Sequence, residues 1–157
     1  MTARSVTHAT LVIERTYEAA PARVFEAWAN PVAKARWFKV PDEWDRGDYA
    51  LDFRVGGREH SAGGPPGGPM HRYDAIYQDI VPDERIIYSY EMHLDDTRIS
   101  VSLATVELKP AGTGTWLVVT EQGAFLDGFD EPSSREQGMG HLVDALGELL
   151  RREATGA

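Results

Sequence analysis

Between residues 72 and 125 four stretches follow one another almost without interruption: RYDAIYQDIV (72–81), ERIIYSYEMHL (84–94), RISVSLATVELK (98–109) and TWLVVTEQGAF (115–125). Each is rich in β-branched and aromatic residues and reads as a strand. The joins are turn chemistry and little else: Pro82-Asp83, Asp95-Asp96 and the PAGTG run from Pro110. Strands joined this tightly favour antiparallel neighbours, so the spacing predicts a meander. A sheet of this kind needs an apolar cover on at least one face, and that requirement restricts the fold more than any other feature of the chain.

The cover follows the last strand. From Pro132 the period changes, and Met139, Leu142, Val143, Leu146, Leu149 and Leu150 fall on one face of a long amphipathic helix. Ser133 and Glu136, three apart, fit a capping box at its start. Gly138, Gly140 and Gly147 each cost about 1 kcal/mol relative to alanine in a helix interior. That tolerance predicts either a close approach of helix and sheet or space left open between them.

Ahead of the meander, THATLVIERTY (7–17) reads as a strand. Pro21 opens a short helix with Val24, Phe25 and Trp28 at one-turn spacing, and Asn30 caps a second, PVAKARWF, that starts at Pro31. DYALDFRV (48–55) alternates strictly, with Tyr49, Leu51, Phe53 and Val55 on one face, which predicts a strand running through Val55. Gly56-Gly57 turns the chain and REHSA starts the return strand. The Gly/Pro-rich HSAGGPPGGPMHRY (60–73) then reads as a long, floppy hairpin loop at the rim of one sheet. As a domain linker it would leave the first half too few strands to cover a core. As a phosphate loop it lacks the helix and lysine that should follow.

A chain of 157 residues predicts one domain, 1–157, with its core over about 8–152. A net charge of −9 without a basic stripe argues against nucleic acid and against an anionic membrane surface as partners. No apolar run is long enough to insert in a membrane, and the N-terminus lacks the pattern of a signal peptide. The absence of cysteine excludes disulfides, thiolate metal sites and a cysteine nucleophile, and fits a cytoplasmic protein. No serine lies in a GxSxG elbow. His60 and His71 flank the Gly/Pro stretch, but metal-ligand spacing and a third ligand are missing, so neither metal nor cofactor is expected.

RTYEAAPARVFEAWANPVAKARWF (15–38), DFRVGG (52–57), YQDIVPDERIIYSYE (77–91) and GTWLVVTEQGAF (114–125) resemble corresponding segments of the SRPBCC (START-like) superfamily. Within it, the heat-shock protein 90 ATPase activator-like family is most similar. The resemblance implies an α+β helix-grip fold: a strand, two short helices, then six strands completing a curved antiparallel sheet wrapped around a long C-terminal helix. It also implies a deep cavity between sheet and helix, which superfamily members use for lipids, sterols, polyketides and other apolar small molecules. Two positions depart from the family pattern. Gly138-Met139 stands where Gly-Trp is common, and Glu121 where histidine is common. The eukaryotic relative binds its chaperone through surfaces of a larger protein, so the family name does not carry that activity with it.

Alternation puts Ile86, Tyr88, Tyr90 and Met92 on one strand face and Leu117, Val119 and Glu121 on another. With Trp28, Trp37, Phe53 and the helix residues Met139, Leu142, Val143 and Leu146 they form a candidate ligand-binding wall, mostly apolar with a few orienting polar groups. The plainer alternative is an ordinary core. Glu121 is the candidate catalytic residue, since a carboxylate facing an apolar cavity has a raised pKa and can act as acid or base. Its alternative is to reach water or pair with an arginine. Three functions stay open: a binding protein for an apolar or aromatic small molecule, a cyclase, aromatase or hydrolase built on the same cavity, or an interaction protein that modulates a chaperone or another protein partner. An exposed edge strand leaves room for a homodimer.

Overall fold

The expected meander forms. A computed structural model describes residues 3–154 and contains, in chain order, β1 (Val6–Tyr17), α1 (Pro21–Ala29), α2 (Pro31–Trp37), β2 (Asp45–Leu51), β3 (Arg58–Gly64), β4 (His71–Val81), β5 (Arg85–Leu94), β6 (Thr97–Ala111), β7 (Gly114–Leu126) and α3 (Pro132–Ala154). The seven strands make one antiparallel sheet in the order β1-β7-β6-β5-β4-β3-β2. The sheet is curved and unclosed, with β1 and β2 as its edges. These two strands are consecutive in sequence yet lie at opposite edges, so α1 and α2 carry the chain across the sheet. Together with α3 this is the α+β helix-grip arrangement the resemblance implied. The ends of the expected 1–157 domain, residues 1–2 and 155–157, lie outside the described residues.

Left-handed residues sit in the tight turns that the sequence marks: Asp83 at φ 65°, Asp95 at φ 52° and Gly112 at φ 60°. Aspartate tolerates that region because its short side chain bonds nearby backbone. Asn30 caps α2 as predicted, its side chain accepting from the backbone N–H groups of Val32 and Ala33. The two short helices are locked together where Trp28 and Trp37 meet edge-on, ring centroids 4.8 Å apart. The Trp37 indole N–H also donates to the Ala27 carbonyl at 2.9 Å.

Three local expectations are corrected. The strand expected through Val55 stops at Leu51, because Asp52 N–H bonds back to the Arg58 carbonyl and Gly57 N–H to the Arg54 carbonyl, folding 52–57 into a compact turn. Val55 is therefore 58% exposed, while Phe53 reaches the core from that turn and packs edge-on against Phe25 and Tyr77. Much of the expected long loop is strand: β3 continues to Gly64, leaving only 65–70 to reverse the chain. Gly63 lies there because a Cβ would come within 2.8 Å of Val40, so the loop after α2 packs directly on the strand backbone. The capping box does not form. The helix begins at Pro132, one residue ahead of Ser133, so that serine is already inside the first turn.

Of the two alternatives the α3 glycines posed, Gly147 shows the close approach, while Gly138 is exposed. At Gly147 a Cβ would lie 3.0 Å from the Tyr17 ring, whose hydroxyl donates to the Val143 carbonyl at 2.6 Å. Helix and β1 are pressed together at that point. At Gly138 a Cβ would meet nothing within 4 Å. Gly138→Ala should therefore stabilise the protein by about 1 kcal/mol, the helix-propensity gain unopposed by any contact, read as a raised Tm in thermal unfolding.

Candidate functional site

Where α3 parts from the sheet near Gly138, a partly open cavity of about 700 Å³ remains. Its apolar wall comes from the end of α2 (Trp37, Phe38), from β4 and β5 (Tyr73, Tyr90, Met92) and from α3 (Met139, Leu142). Trp44, His71 and Phe129 line it as well, the His71 ring lying tilted against Trp44 with centroids 4.7 Å apart. Asp130, Ser134 and Arg135 supply polar groups near the start of α3, whereas Lys39 and Asp42 lie in the loop after α2. Ala145 also lines the cavity, ten residues beyond Arg135. At the rise of an α-helix the cavity thus follows α3 for roughly 15 Å.

Of the residues the sequence put forward, Trp37, Tyr90, Met92, Met139 and Leu142 line this cavity. Trp28, Tyr88, Leu117, Val119, Val143 and Leu146 are fully buried in the packed core beneath it, and Phe53 packs at the margin of that core. Glu121 does not line the cavity either. It is 2% exposed and lies behind Tyr90, whose hydroxyl donates to its Oε1. Its Oε2 has no hydrogen-bond partner among the described residues.

Arg135 completes this group. Its Nη1 donates to the Tyr90 hydroxyl oxygen at 3.0 Å, and its Nη2 to Ser100 Oγ at 2.8 Å and Asp130 Oδ2 at 2.9 Å. The guanidinium also lies over the faces of Tyr90 and Phe125, at 5.6 and 5.2 Å. Burial pushes the Glu121 carboxyl above its usual pKa, while the Tyr90 bond and the Arg135 charge pull it back. Sequence reasoning missed Arg135, although it stands one helical turn before Met139 on the same stripe.

A second polar cluster went unread. Lys34 of α2 and Glu59 of β3 are both fully buried, Nζ to Oε1 2.8 Å apart. Tyr77 donates to the same Oε1 at 2.9 Å and Tyr49 to Oε2 at 2.9 Å. The ammonium also faces the Phe38 ring at 4.4 Å and the Trp28 ring at 5.1 Å. Burial lowers the Lys34 pKa and the Glu59 charge raises it again. Trp37 and Phe38 line the cavity and Lys34 does not, so this pair holds up the wall and takes no direct part in the site.

Among the described residues no three His, Asp or Glu side chains are grouped so as to hold a metal. His60 bonds Asp74 at 2.7 Å, and His71 is paired in register with Gly63, so the two histidines are not opposite each other across the hairpin. No helix among the described residues is long and apolar enough to cross a membrane.

A curved sheet that grips a terminal helix around a partly open, aromatic-lined hollow defines a helix-grip cavity protein. More specifically, the chain belongs to the family described as Activator of Hsp90 ATPase homolog 1-like protein, whose family model matches residues 18–151. It is similar to an uncharacterised protein of Rhizobium leguminosarum, with 51% identity and a TM-score of 0.91 over 96% of this chain and 99% of that one. A protein of Rhizobium loti is 48% identical, with a TM-score of 0.86 over 92% and 99% of the two chains. An AHSA1-like protein of Aeromonas hydrophila, 22% identical, shares the fold at a TM-score of 0.69 over 94% of each chain. A search of curated proteins finds no match.

Proposed function

We propose that the protein binds an apolar or aromatic small molecule in the cavity between the sheet and α3. The observation that carries this reading is the cavity itself: about 700 Å³, walled by aromatic and aliphatic side chains, with the exposed Gly138 at its rim. Small-molecule pockets have this size and composition. Burying about 200 Å² of ligand surface there would contribute about 5 kcal/mol. Tyr90 and Arg135 are polar groups on the cavity wall, already bonded to each other, and Glu121 reaches the guest only through the Tyr90 hydroxyl. Any acid–base role for Glu121 has to pass a proton across that hydroxyl, which makes it a positioning residue.

The test is fluorescence titration with phenylnaphthylamine, a neutral aromatic dye. Wild-type protein should bind it, and Gly138→Phe, which puts a ring where a Cβ meets open space, should weaken binding at least about tenfold with Tm retained. Failure of wild type to bind, or unchanged binding by the variant, overturns the reading.

A further inference from the structure

Next to the ligand cavity lies a second depression of about 900 Å³, formed by α2, β2 and the second half of α3. The two share Lys39, Asp42 and Ala145, so they are continuous at that point. The second one is different in character. Arg36, Lys39, Arg46 and Arg152 line it against only two carboxylates, Asp42 and Glu148. In a chain of net charge −9, four cations converging on one depression run against the composition, and they set a local field opposite to that of the rest of the surface.

The nearby carboxylates do not use up Arg36, Lys39 and Arg46. Asp42 takes Lys39 at 3.0 Å, but its side chain is 86% exposed, and an exposed pair like this holds weakly. Glu148 is divided between Arg151 and Arg152, and Glu153 between Arg23 and Arg36. Arg46 makes no ion pair among the described residues, and its one hydrogen bond, to the Ala35 carbonyl, is 3.5 Å long. The start of α3 offers an anion nothing comparable, because Arg135 is already bonded to Asp130, Ser100 and Tyr90, and Asp130 itself faces the cavity.

We infer that the guest is an anionic amphiphile, with its apolar body in the main cavity and its charged end on the shelf formed by Arg36, Lys39 and Arg46. This rests on the cavity-binding reading and adds the charge and orientation of the ligand to it. A carboxylate, sulfonate or phosphate fits the shelf equally, since each can accept from guanidinium and ammonium donors at once.

The experiment compares two dyes with one ring system, phenylnaphthylamine and its anionic counterpart anilinonaphthalene sulfonate. Wild type should bind the sulfonate about tenfold more tightly than the neutral dye at low salt. That ratio should fall towards one in the Lys39→Met/Arg46→Met double variant and, for wild type, in about 0.5 M salt, where exposed charges are screened. Gly138→Phe should weaken both dyes. A wild-type ratio of one or less, or a ratio that survives both the double variant and salt, overturns the shelf while leaving the cavity reading intact, because both dyes still bind. Sulfonate binding that survives Gly138→Phe also overturns it, since the anion would then occupy the shelf alone. If neither dye binds wild type, the cavity reading fails and the shelf falls with it.

Discussion

Lys34→Met is expected to lower the stability of the protein by about 3–5 kcal/mol, because it strands the Glu59 carboxylate inside the core. Methionine keeps the length and apolar stem of lysine, so the loss does not come from a hole. It comes from removing the cation that lies 2.8 Å from Oε1 in a site closed to water. Glu59→Gln should also be costly, and its cost should depend on pH. Burial already lowers the Lys34 pKa, and the Glu59 charge is what raises it again. Without that charge the ammonium more readily gives up its proton. A group whose folded-state pKa is depressed keeps its stability above its unfolded value and loses it as pH falls through the folded value. The Glu59→Gln deficit should therefore be larger at pH about 6 than at pH about 9. The double variant Lys34→Met/Glu59→Gln should recover most of the loss, since no bare charge remains, the glutamine oxygen can still accept from one of Tyr77 and Tyr49, and its NH2 can donate to the hydroxyl oxygen of the other. Urea unfolding of the three variants decides the matter. A Lys34→Met cost below about 1 kcal/mol would mean that water reaches the pair.

The same pair marks the limit of what periodicity reveals. Strand alternation and the helical stripe of α3 define the sheet, the helix and the two faces that meet, because both patterns follow from burying apolar surface. The turns were legible for a similar reason: Pro82-Asp83 and Asp95-Asp96 supply residues that tolerate the required backbone. Lys34 and Glu59 were not legible, because a charged residue at an inward position is a sensible core residue only when its partner is known. That partner sits 25 residues away on a different element. Arg135 was hidden likewise, on the apolar stripe of α3 but looking like a first-turn surface residue. The break at Leu51 escaped because DYALDFRV alternates without a fault, and only the backbone bond from Asp52 to Arg58 shows the chain turning early. The cavity is not legible in the pattern. Which of the inward-facing side chains reach the hollow depends on how far α3 stands off the sheet, and alternation carries no information about that distance.

Tyr90→Phe should cost about 2–3 kcal/mol at neutral pH, and less in acid. The hydroxyl stands between the buried Glu121 and the half-buried Arg135, donating to the first and accepting from the second at 3.0 Å. Its removal leaves the carboxylate without its one donor. Burial already holds the folded-state pKa of Glu121 above its ordinary 4.5, so the native protein binds a proton there more readily than the unfolded chain does. The contribution of Glu121 to stability is accordingly complete below pH about 4.5 and is lost as pH rises through the folded-state value. The Tyr90 bond is one of the two influences that pull that value back down, so phenylalanine moves it higher and enlarges the loss at neutral pH. In acid, where the carboxyl is protonated in wild type and variant alike, the deficit shrinks to that of a neutral hydrogen bond. Glu121→Gln should behave in the opposite way, gaining on wild type as pH rises, because it has no charge to bury. Unfolding free energies at pH about 4 and about 8 separate these outcomes. A Tyr90→Phe cost equal at both would show that the hydroxyl does not hold the Glu121 charge, and would leave Arg135 as the group that does.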